Sequence, residues 1–254
     1  MITVNIIGSG NVATHLIANM LCENDIFIQK IYARRPYTLE GMIESSKITG
    51  RIEDLKPADI TIISISDDYI SEISSKIPFT NQLVVHTSGS SDISVIDSKN
   101  RQGVLYPLQT FSKTKKINFR NIPICIETAK ISDLIILKKL AGILSNKVYM
   151  INSEQRRSMH VAAVFSSNFV NHMYHIANEI CQEKNIPFEI LMPLIQETSQ
   201  KIKTLSPKDA QTGPAKRQDK KTILRHLESI NDPIRKEIYT LLTNSIIKNN
   251  VSKL

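Results

Sequence analysis

Six residues near the start of the chain, Gly8-Ser9-Gly10-Asn11-Val12-Ala13, have the Gly-x-Gly-x-x-Ala spacing that lets a backbone turn lie against a pyrophosphate. Gly8 allows the tight turn, and Gly10 removes the Cβ that would keep a phosphate away. Ala13 is small enough for a helix to pack close to a strand. The N–H groups and positive dipole end at the helix start would face the phosphates. These six residues are therefore candidate cofactor ligands. A ribose with a free 2′-hydroxyl usually meets an Asp or Glu about 20 residues further on, whereas a 2′-phosphate needs a cation there. Here the chain reads Arg34-Arg35-Pro36, with no acid until Glu40. Arg34 and Arg35 offer planar donor forks, which points to NADP(H) rather than NAD(H).

Four other groups can do chemistry. Ser64 and Ser66 end a buried apolar run, Ile60 to Ile65, and place hydroxyls where a cofactor would lie. Ser88 and Gly89 follow Leu83-Val-Val-His86 and suit substrate anchoring; His86 itself reads either as a base or as a hydrogen-bonded structural residue. In the stretch from Arg156 to His172, about 100° per residue puts His160, Ser167 and Asn171 in one sector, with Asn168 about 80° from His160. His160 can give a proton near neutral pH, and the two amides can hold a substrate oxygen. A polar face at a helix dimer contact is the alternative for all three. Finally, Thr212-Gly-Pro-Ala-Lys-Arg217 sets donors around a Gly-Pro turn, so Thr212 and Arg217 are candidates for a carboxylate or phosphate on the substrate. Asp219 reads as the cap of the next helix. Asp67 and Asp68 read equally as a helix start or as part of the ligand edge.

The elements that would position these groups alternate up to residue 151. Strands are expected over 2–7, 26–33, 60–65, 83–86, 122–127 and 147–151, with a short one within 103–111 that closes on Pro107, and helices after the glycine turn, over 69–76 and over 132–144. This alternation makes a doubly wound α/β sheet, with ligands at the carboxyl edge of the strands. Beyond Asn152 the pattern is helical only: one long helix over 153–184, another from Pro187 to Thr204, a loop over 206–219, and helices over 220–229 and 232–249. Pro233 sits just inside the last of these. The expected domains are thus residues 1–151, binding the dinucleotide, and 152–254, all-helical.

Composition narrows the class. With 41% hydrophobic and 22% charged residues in 254, the chain is ordinary globular protein. Cys22, Cys125 and Cys181 are odd in number and have no metal-ligand spacing, which argues for a reducing, cytoplasmic setting and against a disulfide framework or a metal site. No leader precedes the first strand, and no apolar run approaches the ~20 residues that span a bilayer. A net charge of +8 invites nucleic acid, yet there is no Trp, no interleaved aromatic pattern and no recognised motif. Attraction of an anionic cofactor or substrate uses the charge more economically.

Together these residues resemble bacterial proteins that join a Rossmann-like domain to a helical C-terminal domain of unknown function, often called NADP oxidoreductases. The resemblance covers essentially the whole chain. It rests on Gly8 to Ala13, His86-Thr-Ser-Gly89, Tyr106-Pro-Leu-Gln-Thr-Phe111, His160 to Asn168 and Thr212 to Asp219. That family commonly has His where this chain has Tyr106, so Tyr106 is given no catalytic role. More distantly the layout is similar to ketopantoate reductase, pyrroline-5-carboxylate reductase and the β-hydroxyacid dehydrogenases, with a 6-phosphogluconate dehydrogenase-like C-terminal domain. Two of these relatives place a Lys where this chain has His160. The resemblance implies a homodimer formed through the helical domain. The expectation is an NADP(H)-dependent oxidoreductase that reduces a small anionic carbonyl or imine compound by hydride transfer. The rival is an NADPH-binding regulator that catalyses nothing.

Overall fold

In the computed structural model, which describes residues 1–112 and 115–251, the apolar runs become the strands of one eight-stranded sheet. The chain passes from β1 (Ile2–Ile7) through the glycine turn into α1 (Asn11–Met20), then β2 (Ile26–Tyr32), β3 (Ile48–Thr49) and β4 (Ile60–Ile63). It continues with α2 (Ile70–Ser75), β5 (Leu83–His86), β6 (Arg101–Pro107), β7 (Ile124–Thr128), α3 (Leu134–Leu144) and β8 (Val148–Met150). The order across the sheet is β3-β2-β1-β4-β5-β6-β7-β8, and every neighbouring pair is parallel except β6–β7. This is the doubly wound α/β class that the sequence implies. The chain builds outward from β1 in one direction and returns to β4 beside it, so the strand order reverses between β1 and β4. Ligands lie outside the carboxyl ends of the strands at such a point.

Parallel strands covered on both faces read as unbroken apolar runs, and all four residues of both β4 and β5 are buried. Alternation along each strand sorts the side chains into two cores. Ile6, Ile62 and Val85 pack with α1 and α3 on one face, while Ile7, Ile63 and Val84 pack with Ile70 and Ile77 on the other. The two-residue β3 escapes the sequence reading because it is too short to carry a period. β6 closes on Pro107, as read, and beyond it the backbone N–H of Leu108 donates to the carbonyl of Pro123 at 2.8 Å.

The chain forms two compact units, residues 1–167 and 168–254. The strands end where expected, but α4 (Ser153–Ala163) belongs to the sheet unit. The single helix expected over 153–184 is in fact α4, a π-helical segment Val164–Asn168, and α5 (Phe169–Glu183). The wider π turn breaks the ~100° progression. The alignment of Ser167 and Asn171 with His160, and the ~80° offset of Asn168, worked out for an unbroken helix, therefore do not hold.

The second unit comprises α5, α6 (Met192–Lys201), α7 (Pro207–Ala210), α8 (Lys220–Ser229) and α9 (Pro233–Val251). A 3-10 turn over Phe188–Leu191 takes the first residues expected of α6, and α7 lies in a stretch read as loop. Asp219 caps α8 by accepting from the N–H of Thr222, and Pro233 opens α9, both as read. Arg235 on α9 donates to Glu183 at 2.6 Å and Glu179 at 3.1 Å on α5. Among the described residues of this unit, Cys181 and Ala215 are the only buried hydrophobics. No helix of the described residues is long and apolar enough to cross a membrane.

Candidate active site

The carboxyl ends of β1, β2, β4, β5 and β6 open on one cleft of about 960 Å³, at the upper end of the range for ligand pockets. Gly8 to Val12 floor it, Arg34 and Arg35 stand at one end, Ser64 and Ser66 line the middle, and Ser88, Gly89, Tyr106 and His160 also face it. Ala13 is buried beneath the turn, as close packing of α1 requires. Every one of these residues belongs to the first unit.

The two glycines are constrained differently. Gly8 has φ +130°, and a Cβ there would stand 2.1 Å from the carbonyl oxygen of Ser64. Around the missing Cβ of Gly10 no atom lies within 4 Å, and its backbone (φ −76°, ψ −177°) suits any residue. The protein itself therefore does not require glycine at position 10; a phosphate lying on the turn does. Above it, the first turn of α1 has no acidic residue and no side-chain cap, so its N–H groups and positive dipole end are left for an anion. Asn11 donates to the carbonyl of Phe111 at 3.0 Å and ties the turn to the segment after β6.

Beyond β2, Arg34 lies over the ring of Tyr69, 5.6 Å from its centroid. Arg35, Thr38 and Lys76 line the same end of the cleft. Two carboxylates face the cleft, Asp67 and Glu72, and both are engaged. Glu72 pairs with Lys76 at 2.5 Å, and Asp67 accepts from the hydroxyls of Ser88 at 2.6 Å and Ser90 at 2.5 Å. Asp67 opens the 3-10 turn Asp67–Tyr69, as one sequence reading had it, and also braces the loop after β5; no side chain caps that turn. With two arginines exposed and no free acid beside them, the end of the cleft fits a 2′-phosphate.

His86 is fully buried, and its Nδ1 accepts from the N–H of Ser88 at 3.1 Å. Burial, helped by the positive charge of Arg156, pushes its pKa down to about 4. It is the structural histidine of the two readings. In the unfolded chain the ring protonates near 6.5, so between that pH and about 4 the unfolded state holds the extra proton. Stability is then unaffected by His86 above about 6.5 and falls by up to about 3 kcal/mol as the pH drops to 4. Urea midpoints measured across this range should show the slope, and His86→Gln should flatten it.

On the opposite wall, His160 Nδ1 lies 3.1 Å from the Tyr106 hydroxyl, and the two rings meet edge to face. Gly89 backs both: a Cβ there would stand 2.5 Å from His160 Nδ1 and 2.8 Å from Tyr106 Cζ. The helix carrying His160 is held at its start. Asn152 and Gln155 form a capping box. Glu127 accepts from the N–H and hydroxyl of Ser153 at 3.0 and 2.8 Å and pairs with the fully buried Arg156, which also donates to the carbonyl of Ser91.

Tyr106, set aside on sequence grounds, is the residue missed. The available signal was its place at the carboxyl end of a strand parallel to β5. Arg156 received no role from the sequence, because nothing local announces Glu127 on β7 as its partner. Asn168 and Asn171 are exposed and lie in the second unit. So do Thr212 and Arg217, also exposed; the turn between them is built as expected, with Gly213 at φ +102° and Arg217 N–H donating to its carbonyl. Among the described residues no cluster of His, Cys, Asp or Glu could hold a metal.

Residues 122–246 match the model of a family described as a domain of unknown function, DUF2520. No curated protein matches the chain. Among solved structures, a "putative NADP oxidoreductase" from Bacteroides fragilis shares 37% identity with a TM-score of 0.87, over 97% of this chain and 98% of that one. A Thermotoga maritima protein shares 20% identity with a TM-score of 0.73, over 98% and 99%. The 1-pyrroline-5-carboxylate reductase of Streptococcus pyogenes shares 12%, with a TM-score of 0.63 over 99% and 98%, and so shares the fold. By its likeness to the first of these along nearly its whole length, the chain belongs to the family of Rossmann-fold oxidoreductases whose helical region is DUF2520.

Proposed function

We propose that the protein is an NADP(H)-dependent oxidoreductase that reduces a carbonyl or imine group in a small anionic molecule. The observation that carries this is the single cleft holding the bare N-terminus of α1 above Gly10, the Arg34–Arg35 pair, and the His160–Tyr106 pair. NADPH, when bound, supplies hydride. The chain's own residues do the rest. The Gly8–Ala13 turn receives the pyrophosphate, and Arg34 and Arg35 take the 2′-phosphate. Ser64 and Ser66 line the cofactor, Ser88 and Gly89 position the substrate, and His160 provides the proton. Asn168, Asn171, Thr212 and Arg217 are proposed, from their chemistry alone, as substrate-holding groups of the second unit. The name of the B. fragilis relative supports the cofactor.

The helical unit supports a homodimer. Ile190, Leu194, Ile202, Leu224, Ile234 and Leu241 are each more than half exposed while almost nothing apolar is buried there. Exposed apolar surface on this scale marks an association face. Three free cysteines fit the cytoplasm.

Fluorescence titration with NADPH and NADH tests the reading. NADPH should bind more tightly. The double substitution Arg34→Ala/Arg35→Ala should weaken NADPH binding roughly 10- to 100-fold, the worth of charge-assisted hydrogen bonds to a phosphate, and leave NADH nearly unchanged. Equal loss for both cofactors, or binding of neither by the wild type, would sink the proposal.

A further inference from the structure

We infer that Tyr106 is the group that hands the proton to the substrate, that His160 refills it, and that the substrate group is therefore a carbonyl rather than a protonated imine. This rests on the oxidoreductase reading and sharpens its site. The Tyr106 hydroxyl and His160 Nδ1 share a hydrogen bond at 3.1 Å. Both side chains face the cleft, and Gly89 leaves room for them where any Cβ would collide with both. Burial pushes the Tyr106 phenol up to about 12, so it stays protonated at neutral pH and presents a hydroxyl, not an anion. A phenol so held gives up its proton only to a stronger base, and only if the phenolate is relieved at once. An alkoxide is such a base, and a charged imidazole on the far side of the oxygen provides the relief.

The carbonyl carbon gains a C–H bond with the hydride pair, the C–O π pair moves to oxygen, and that oxygen takes the Tyr106 proton. The Tyr106 O–H bond breaks as the Nδ1–H of His160 moves onto the phenol oxygen, and the half-buried imidazole recovers a proton from solvent. The carbonyl compound is reduced to an alcohol and the hydride donor is oxidised. A protonated imine already carries its proton on nitrogen and becomes a neutral amine on taking hydride, so it gives a two-group relay nothing to do. Asp67 does not compete for the role. Its Oδ2 accepts from the hydroxyls of both Ser88 and Ser90.

The test uses the full chain and has two readouts. In the first, 15N spectra of histidine side chains are recorded with NADP+ bound, for wild type and Tyr106→Phe. The His160 Nδ1 resonance should move while the affinity for NADPH stays within about twofold; an unmoved resonance overturns the pairing. In the second, NADPH oxidation is followed with a panel of aliphatic aldehydes, ketones and 2-oxo acids, and with 1-pyrroline and its carboxylate. At least one carbonyl compound should turn over, and Tyr106→Phe should lower kcat roughly 100-fold or more with little change in KM. His160→Ala should lose turnover and regain part of it when imidazole is added, which a merely structural histidine would not do. Turnover confined to the imines, full kcat in Tyr106→Phe, no rescue by imidazole, or no oxidation despite bound NADPH each overturns the inference. Failure to bind NADPH at all instead removes the reading beneath it.

Discussion

Gly8→Ala is expected to destabilise the protein by about 3 kcal/mol, combining strain at positive φ with overpacking, whereas Gly10→Val should change stability by less than ~1 kcal/mol. The Cβ at position 8 would have to stand at φ +130° and 2.1 Å from the carbonyl oxygen of Ser64. That oxygen belongs to the residue after β4, whose own N–H donates to the carbonyl of Ile7 at 2.8 Å, and β4 is hydrogen-bonded to β1 along its whole length. It cannot retreat without parting β4 from β1. At position 10 the backbone is already extended and the space is open. The added bulk meets nothing until a pyrophosphate arrives, so binding of NADPH should weaken roughly 10- to 100-fold with the loss of backbone hydrogen bonds to charge. Urea unfolding and NADPH fluorescence, run on both variants, separate the two effects. If Gly8→Ala unfolds at the wild-type midpoint, or if Gly10→Val binds NADPH as well as wild type, this account of the turn is wrong.

The same contrast explains what could be read from the chain and what could not. Gly8 and Gly10 sit between an apolar run and a helical pattern, a local arrangement whose consequence is local, so the turn was legible. The strands β1, β4 and β5 were legible because burial on both faces demands nearly continuous apolar sequence. The caps at Asp219 and Pro233 are likewise local chemistry. Three features were not legible, each for a physical reason. The π turn at Val164–Asn168 leaves no mark on composition, and it alone spoils the alignment of His160 with Asn171. The meeting of Tyr106 with His160 depends on β6 lying parallel beside β5 and on α4 returning across its end, which is tertiary order. Asp67 opens the 3-10 turn before α2, as one reading had it, but its hold on two serine hydroxyls across the loop is tertiary and leaves no local mark.

Arg156→Met should lower stability by about 3 kcal/mol or more, as for other buried ion pairs that lose one partner. The guanidinium is fully buried and spans three elements. It pairs with Glu127 on β7, donates to the carbonyl of Ser91 after β5, and reaches the hydroxyl of Ser153 in its own first turn at 3.1 Å. Its Nε has no hydrogen-bond partner, so part of the desolvation cost is left unmet even in the wild type. Met fills comparable space but leaves the Glu127 carboxylate, only 17% exposed, without its cation. Replacing both members, as Arg156→Met/Glu127→Leu, should recover part of the loss, because the uncompensated charge is gone even though Ser153 loses its acceptors. The substitution has a second consequence, because Arg156 is one of the causes that hold His86 neutral. Without it the His86 ring should bind a proton at higher pH, and the acid limb of the stability profile should become shallower. Neither Arg156 nor Glu127 lines the cleft, so NADPH should bind as before. Turnover should suffer even in folded protein, since α4 then loses the tether that seats His160 against Gly89 and Tyr106, and a displacement of about 1 Å at a reacting group can cost roughly 100-fold in rate. Should the double variant prove no more stable than Arg156→Met, the tether rather than the buried charge sets the energy of this junction.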